Sequence, residues 1–222
     1  ECSCRHARLQ PKFRAVKRII DNGDLGEVYH IHHNQLMRGT FIEYNPAGTW
    51  ALDKDKGGGG PFMDWGPYDL SFHLGVLNDQ PNLKSMQAFT RGGLKSFKDA
   101  DIQQNIEEHG AAYMEFDSGL TYYYERGSGV HCETPNQTRI YGTKGSLVFG
   151  FCSWDPPELE YYYLGDNGDE QQKTIPVDMD AHLGDNEELS RHFLDVVLDG
   201  ATPMMTPQLA AKHLRMILGI LG

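Results

Sequence analysis

The sequence predicts an α+β domain: a large, open, mostly antiparallel sheet with helices packed on one face. Two observations carry this. Between residues 82 and 177, strand-like runs follow one another through short turns, Asp117-Ser118-Gly119, Gly142-Thr143-Lys144-Gly145 and Gly165-Asp166-Asn167-Gly168. Such turns are hairpin signals. No helix long enough to cross over separates these runs, so neighbours should pair antiparallel. The helical patterns lie ahead of this stretch and behind it.

Taken in order, residues 1–8 read as the end of a strand or a linker. Residues 11–22 read as a helix. Pro11 suits a first turn, Phe13, Val16, Ile19 and Ile20 form an apolar stripe, and Asn22-Gly23 is a stop. Gly23-Asp24-Leu25-Gly26 then turns the chain into a strand over 27–37, which carries His30, His32 and His33. His30 and His32 share a strand face, but no carboxylate is spaced to complete a metal site. The three are expected as polar residues on an edge or a solvent-facing sheet face. Residues 38–56 form a polar loop long enough to suggest function or mobility. Its Trp50 could stack on a sugar ring or anchor the loop on the core.

Strands follow over 82–91, 108–116, 120–126, 138–141, 146–151, 158–164 and 172–177, with a polar excursion over 92–104. In Tyr122-Tyr123-Tyr124 and Tyr161-Tyr162-Tyr163, two tyrosines should face one side and one the other. A tyrosine-rich open face suits a partner, although tyrosine is also simply a good strand residue. Two helices close the chain. One covers 185–198, with Leu189, Phe193, Val196 and Val197 on one face and Asp185 and Glu188 at capping-box spacing. The last begins at Thr206-Pro207 and turns Leu209, Leu214, Ile217, Leu218 and Leu221 inward. No repeat or linker divides residues 1–222, so a single domain is expected.

Composition narrows the function. A formal net charge of −11 over 222 residues disfavours nucleic acid and anionic membrane surfaces as partners. No apolar run approaches the ~18 residues of a membrane span. No charged-then-apolar leader follows Glu1, and a cytoplasmic setting is expected, with a secreted or periplasmic one as the alternative because the abrupt start suggests a fragment or processed product. The cysteines are Cys2, Cys4, Cys132 and Cys152. Cys2-x-Cys4 is tighter than a zinc pair, so reduced structural thiols are expected and no metal.

The most informative stretch is Gly57-Gly58-Gly59-Gly60-Pro61, opening a helix over 61–77. Four successive glycines mark a turn or a close backbone approach. Asp64 falls in the first turn, where the partial positive charge of a helix start favours an anion. Tyr68 follows at i+4, on the same face. An anion beside a phenol is a candidate acid/base pair, and capping by Asp64 beside a half-buried Tyr68 is the plainer alternative. Asp69 and His73 are also spaced i,i+4 and suggest a local polar contact. His73 lies about 180° from Asp64 around the helix and should face elsewhere.

The order Gly-Gly-Gly-x-x-x-Asp-x-Gly-x-Tyr, followed by Leu74-Gly75, resembles the Gfo/Idh/MocA oxidoreductases, the glucose–fructose oxidoreductase and inositol dehydrogenase family. Asp24-Leu25-Gly26-Glu27-Val28, Gly142-Thr143-Lys144-Gly145-Ser146-Leu147 and the closing helices fit the same family in order. The resemblance implies a C-terminal domain of the glyceraldehyde-3-phosphate dehydrogenase type. It implies Asp64 and Tyr68 as catalytic residues and Trp50, Gly59, Gly60 and Trp65 as substrate-binding ones. It also implies NAD or NADP as cofactor, a sugar-like or cyclitol-like substrate, and a homo-oligomer through the open sheet. Ser71 stands where many members have Asp, and Tyr68 where many have His.

The glycine pattern of a dinucleotide fold, strand then Gly-x-Gly-x-x-Gly then helix, is absent from this chain. In the family an N-terminal Rossmann domain carries the cofactor and supplies a lysine at the reaction centre. Tyrosine ionises near pH ~10 in water, so Tyr68 would need such a positive charge beside it. A non-catalytic dimerisation or binding module, and the C-terminal domain of an NAD-dependent glycoside hydrolase, are the competing expectations.

Overall fold

The computed structural model describes residues 6–40, 43, 47–94, 103–180 and 182–222. The chain begins with α1 (His6–Leu9) and α2 (Pro11–Asp21), then β1 (Val28–Met37). A 3-10 turn (Thr49–Leu52) and α3 (Lys54–Gly57) lead into α4 (Pro61–Gly75). Seven strands follow: β2 (Leu83–Arg91), β3 (His109–Phe116), β4 (Thr121–Ser128), β5 (Gln137–Gly142), β6 (Gly145–Phe149), β7 (Glu158–Leu164) and β8 (Glu170–Pro176). The chain closes with α5 (Asp185–Leu198) and α6 (Pro207–Leu221). Cys2 and Cys4 and most of the 92–104 excursion lie outside the described residues. Cys132 is exposed and Cys152 buried, both as free thiols.

All eight strands form one sheet in the order β2-β3-β4-β1-β5-β6-β7-β8. The hairpin series accounts for both wings, β2 to β4 and β5 to β8, which pair antiparallel throughout. The centre departs from it. β1 inserts between β4 and β5, parallel to β4 and antiparallel to β5. An edge position for the histidine strand is therefore corrected. No local signal reports that insertion, because both partners of β1 lie far along the chain.

Alternation along these strands decides what each face sees. Ile31 and His33 of β1 lie opposite Tyr122 and Tyr124 of β4 and Ile140 and Thr138 of β5, and all six are buried. His33 is thus a core residue, against the solvent-facing expectation. His30 and His32 point to the other face, where their rings meet Tyr141 and Tyr123. Each tyrosine run splits as alternation requires. Tyr122, Tyr124 and Tyr161 go inward and Tyr123 and Tyr162 outward, so the open face receives the smaller share.

α4 crosses the inner face as the core's central helix. Phe62, Leu70, Phe72 and Leu74 are fully buried, each contributing ~1.5–3 kcal/mol. Gly66 marks where α6 passes: a Cβ there would lie 2.9 Å from Ile217. The helix ends at Gly75, two residues short of the predicted 77. Asn78 and Asp79 adopt left-handed φ values of 60° and 56°, which Asn and Asp tolerate better than most residues. The Asp79 side chain receives two hydrogen bonds from Arg8, at 2.8 and 2.7 Å, while Lys212 Nζ donates to its carbonyl. Asp79 thereby ties α1, the end of α4 and α6 together.

The closing helices differ from expectation. Asp185 forms no capping box: the N-cap is Gly184, with no side-chain cap. Its carboxylate meets Gln10, Ser153 and His182 instead. The apolar face of α5 is largely bare, with Phe193 48% and Val197 61% exposed. On α6, His213, Met216, Ile217 and Ile220 turn inward, while Leu214 and Leu218 are exposed.

Candidate active site

The glycine run is shaped by packing inside the chain. Gly58 is left-handed, at φ 84°. Gly60 is buried, and a Cβ on it would fall 2.0 Å from the Glu107 carbonyl oxygen. A Cβ on Gly59 would meet Leu221 at 2.9 Å. The Glu107 carboxylate caps the start of α4, accepting from Gly60 N at 2.8 Å and Phe62 N at 3.2 Å. Burial raises the Glu107 pKa, and these hydrogen bonds oppose the rise. Glu107, not Asp64, therefore satisfies the first amides of the helix. Its position just before β3 gave no local sequence signal. Gly59 and Gly60 are glycines because backbone and Leu221 leave no room.

Asp64 and Tyr68 lie one turn apart on α4, Asp64 exposed and Tyr68 half-buried. Trp65 lies between them in sequence. Its ring is 6.0 Å from that of Tyr68 and stacks over the Arg126 guanidinium at 4.8 Å. The Trp65 indole N–H is buried without an acceptor among the described residues. An unsatisfied buried donor costs ~1–3 kcal/mol. Trp50 stands 55% exposed on the 3-10 turn. The structure thus joins Tyr68 and Trp65 directly, and places Trp50 on a separate element that leads into the glycine run.

Beneath this surface lies a polar cluster that spacing alone did not reveal. Asp69 is fully buried and accepts from Arg126 Nε at 2.7 Å, Arg126 Nη2 at 2.5 Å and the Tyr124 hydroxyl at 2.6 Å. Arg126 also donates to Gln35. Burial works against the Arg126 charge, but Asp69 more than offsets it and keeps the guanidinium protonated. The fully buried His73 places Nδ1 2.7 Å from the Tyr122 hydroxyl and Nε2 2.9 Å from Thr138 Oγ1. The same hydroxyl lies 2.9 Å from His33 Nδ1. Burial drives both imidazoles well below their ordinary pKa, with Arg126 adding to the effect at His33 and His33 at His73. Burial, then Asp69, raises Tyr122 and Tyr124 well above theirs. Asp69 and His73 are therefore not each other's partners, as the i,i+4 spacing suggested. Arg126 is the residue that sequence reasoning missed. An Arg at the inward position after two inward tyrosines could have signalled a buried ion pair.

The chemistry divides by depth. The inner cluster spends Asp69, Arg126 and His73 on one another's neighbourhood and fixes the helix, with His33 Nε2 3.6 Å from Asp69. The outer row offers a carboxylate, a phenol and an indole at the surface.

A family model for the GFO/IDH/MocA C-terminal domain matches residues 13–148. The chain belongs to the GFO/IDH/MocA family. It is 26% identical over 199 residues to a D-xylose 1-dehydrogenase [NADP(+)] of Haloarcula marismortui, covering 87% of this chain and 49% of that protein. The chain thus spans about half the length of this curated relative. Among solved structures, an NAD-binding oxidoreductase from Klebsiella pneumoniae superposes with a TM-score of 0.76 at 19% identity, over 97% of this chain and 61% of that one. Levoglucosan dehydrogenase in complex with NADH and levoglucosan gives 0.76 at 16%, over 97% and 61%. An aldose-aldose oxidoreductase from Caulobacter crescentus gives 0.70 at 21%, over 97% and 58%. The α+β fold of the family's C-terminal domain is the fold of this chain. No helix among the described residues is long and apolar enough to cross a membrane.

Proposed function

We propose that residues 1–222 form a single domain, the substrate-binding half of an NAD(P)-dependent oxidoreductase acting on a CH–OH group of a sugar or cyclitol. The observation that carries this is Asp64 and Tyr68 one turn apart on the accessible side of α4, beside the Trp65 ring, in a chain of this family.

The nicotinamide of NAD(P) would supply hydride acceptance, but this chain does not fit the dinucleotide. The described residues form no strand–glycine turn–helix unit of the kind that cradles a pyrophosphate. The glycine run that opens α4 is filled by Glu107 and Leu221. Residues outside this chain must hold the cofactor. The chain's own part is the substrate and its proton. Tyr68 takes the proton of the reacting hydroxyl, given a positive charge beside its oxygen. Asp64 orients that hydroxyl or the cation. Trp65 packs on the carbon skeleton, and Trp50 closes the site from the adjoining turn.

The test is sugar oxidation with NAD+ or NADP+ by the protein in its native length. Tyr68→Phe and Asp64→Asn should each lower kcat by at least ~100-fold, with unchanged thermal unfolding. Near-wild-type turnover in both variants would overturn the assignment.

The open sheet face supports a second copy as partner. Tyr29, Phe89 and Tyr113 are exposed there beside His30, His32 and Tyr123. Sedimentation should give a dimer that a Tyr123→Glu, His32→Glu double variant splits. If such a dimer forms and Tyr68→Phe is silent, the non-catalytic assembly module becomes the better account.

A further inference from the structure

The connection between β6 and β7 is anchored to an unusual degree. Lys12 of α2 is fully buried, and its ammonium donates to the carbonyls of Gly150 at 3.0 Å, Cys152 at 2.7 Å and Asp155 at 2.8 Å. Asp155 in turn accepts from Cys152 N at 2.8 Å and Asn136 Nδ2 at 2.9 Å. Ser153 donates to Asp185 of α5 at 3.2 Å. A cation withdrawn from water and spent on three carbonyls of one loop is costly unless the loop's shape matters.

At the tip of this loop, between Ser153 and Asp155, stands Trp154, 66% exposed. It is not a stray surface residue. Its ring meets Trp65 edge to face, 6.0 Å between centroids at 78°. Trp65 also meets Tyr68 at 6.0 Å. Trp65 therefore links the half-buried Tyr68 to the exposed Trp154. The inner two sit on a helix fixed by the Asp69–Arg126 pair, and the outer one on a loop fixed by Lys12.

We propose that Trp154 is a specificity-determining residue that receives the second ring of a glycoside or disaccharide whose first ring is oxidised at Tyr68. Sugar rings present apolar C–H faces, and an immobilised aromatic ring takes such a face at little entropic cost. These linked rings then favour two-ring substrates over the free monosaccharide. This placement of the second ring rests on the sugar-binding site proposed above.

The experiment compares xylobiose with D-xylose, using the protein in its native length with NAD+ or NADP+. Trp154→Ala should lower the ratio of kcat/KM for xylobiose over D-xylose at least about tenfold, through KM, and Trp154→Phe should restore most of it. An unchanged ratio would overturn the proposal. So would an equal loss on both sugars accompanied by a lower Tm, which would make Trp154 a packing residue. Should the wild type oxidise neither sugar, the oxidation assignment fails separately, and binding decides. Quenching of tryptophan fluorescence by xylobiose at lower concentration than by D-xylose, abolished in Trp154→Ala, would sustain the role of Trp154. No quenching by either sugar would end it.

Discussion

Two pairs on α4 share one spacing and meet opposite fates. Asp64 with Tyr68, and Asp69 with His73, are each an acid followed four residues later by a group able to exchange a proton. The first pair is at the surface, while the second is sealed in the core. Helical spacing says which residues share a face, not what that face meets. The inner pair's partners come from β1, β4 and β5: His33, Tyr122, Tyr124, Arg126 and Thr138. They hold Asp69 and His73 in one buried cluster, with His33 against both, and leave neither for chemistry. The outer pair touches the surface beside the Trp65 and Trp154 rings. The same spacing thus serves architecture on one side of the helix and supplies reactive groups on the other.

The largest effect should come from changing the inner pair. Asp69→Asn leaves Arg126 buried without its counter-charge and should cost ~3–5 kcal/mol of stability, read by urea unfolding. A variant as stable as wild type would show that the inner cluster does not fix the helix. The matching outer change, Asp64→Asn, should alter stability by no more than ~0.5 kcal/mol while abolishing most turnover. Loss of stability there would erase the distinction between the two sides.

A second effect separates the core by pH. His33 and His73 are held neutral, with folded pKa values well below 6.5. Their contribution is full above pH ~6.5 and falls as pH drops towards the folded values, because the unfolded chain takes up protons that the fold refuses. The slope is up to ~1.4 kcal/mol per pH unit for each imidazole. Unfolding free energy measured between pH 7 and 5 should show it, and His73→Gln should flatten it. A flat wild-type profile would mean that the core admits protonated histidine.

Asp79 acts in a different window. Burial would raise its carboxyl, but His213, 3.7 Å away, and the two Arg8 hydrogen bonds outweigh this and hold it well below the usual carboxylate range. Its contribution is therefore present above pH ~4 and lost as pH falls further. Asp79→Asn keeps a side chain that tolerates the left-handed turn and should cost ~2 kcal/mol at pH 7, a gap that closes towards pH 2. An equal gap at both pH values would point to the turn rather than the charge.

Much of the fold was legible because its signals are local. The turns at Asp117-Ser118-Gly119, Gly142–Gly145 and Gly165–Gly168 announce both wings of the sheet. Proline and glycine bracket the helices: Pro11 opens α2, Pro207 opens α6 behind the Thr206 cap, and Gly200 follows α5. What escaped was set by distant contacts. The Glu107 cap, the central place of β1, the Arg126–Asp69 pair and the bare face of α5 each depend on a residue far away in the chain. Of the candidate site, the Asp64–Tyr68 spacing and Trp65 could be read directly. Trp154 could not, because nothing in Ser153-Trp154-Asp155 reports that a buried lysine from α2 holds that loop in place.

The position of β1 has a consequence in time. On the ribosome this strand is made well before its neighbours, which lie far downstream. His30 meets Thr121 across 91 residues of chain, and His33 meets Thr138 across 105. Such closures are slow. Both wings can zip as hairpins while the middle of the sheet stands open, with Ile31 and His33 on a strand that has no neighbour. Until β5 emerges and the two halves clasp it, β1 is the segment most in need of protection. Mutations that delay that clasp should therefore reveal themselves first as poor yield of folded protein, before any change in the finished molecule.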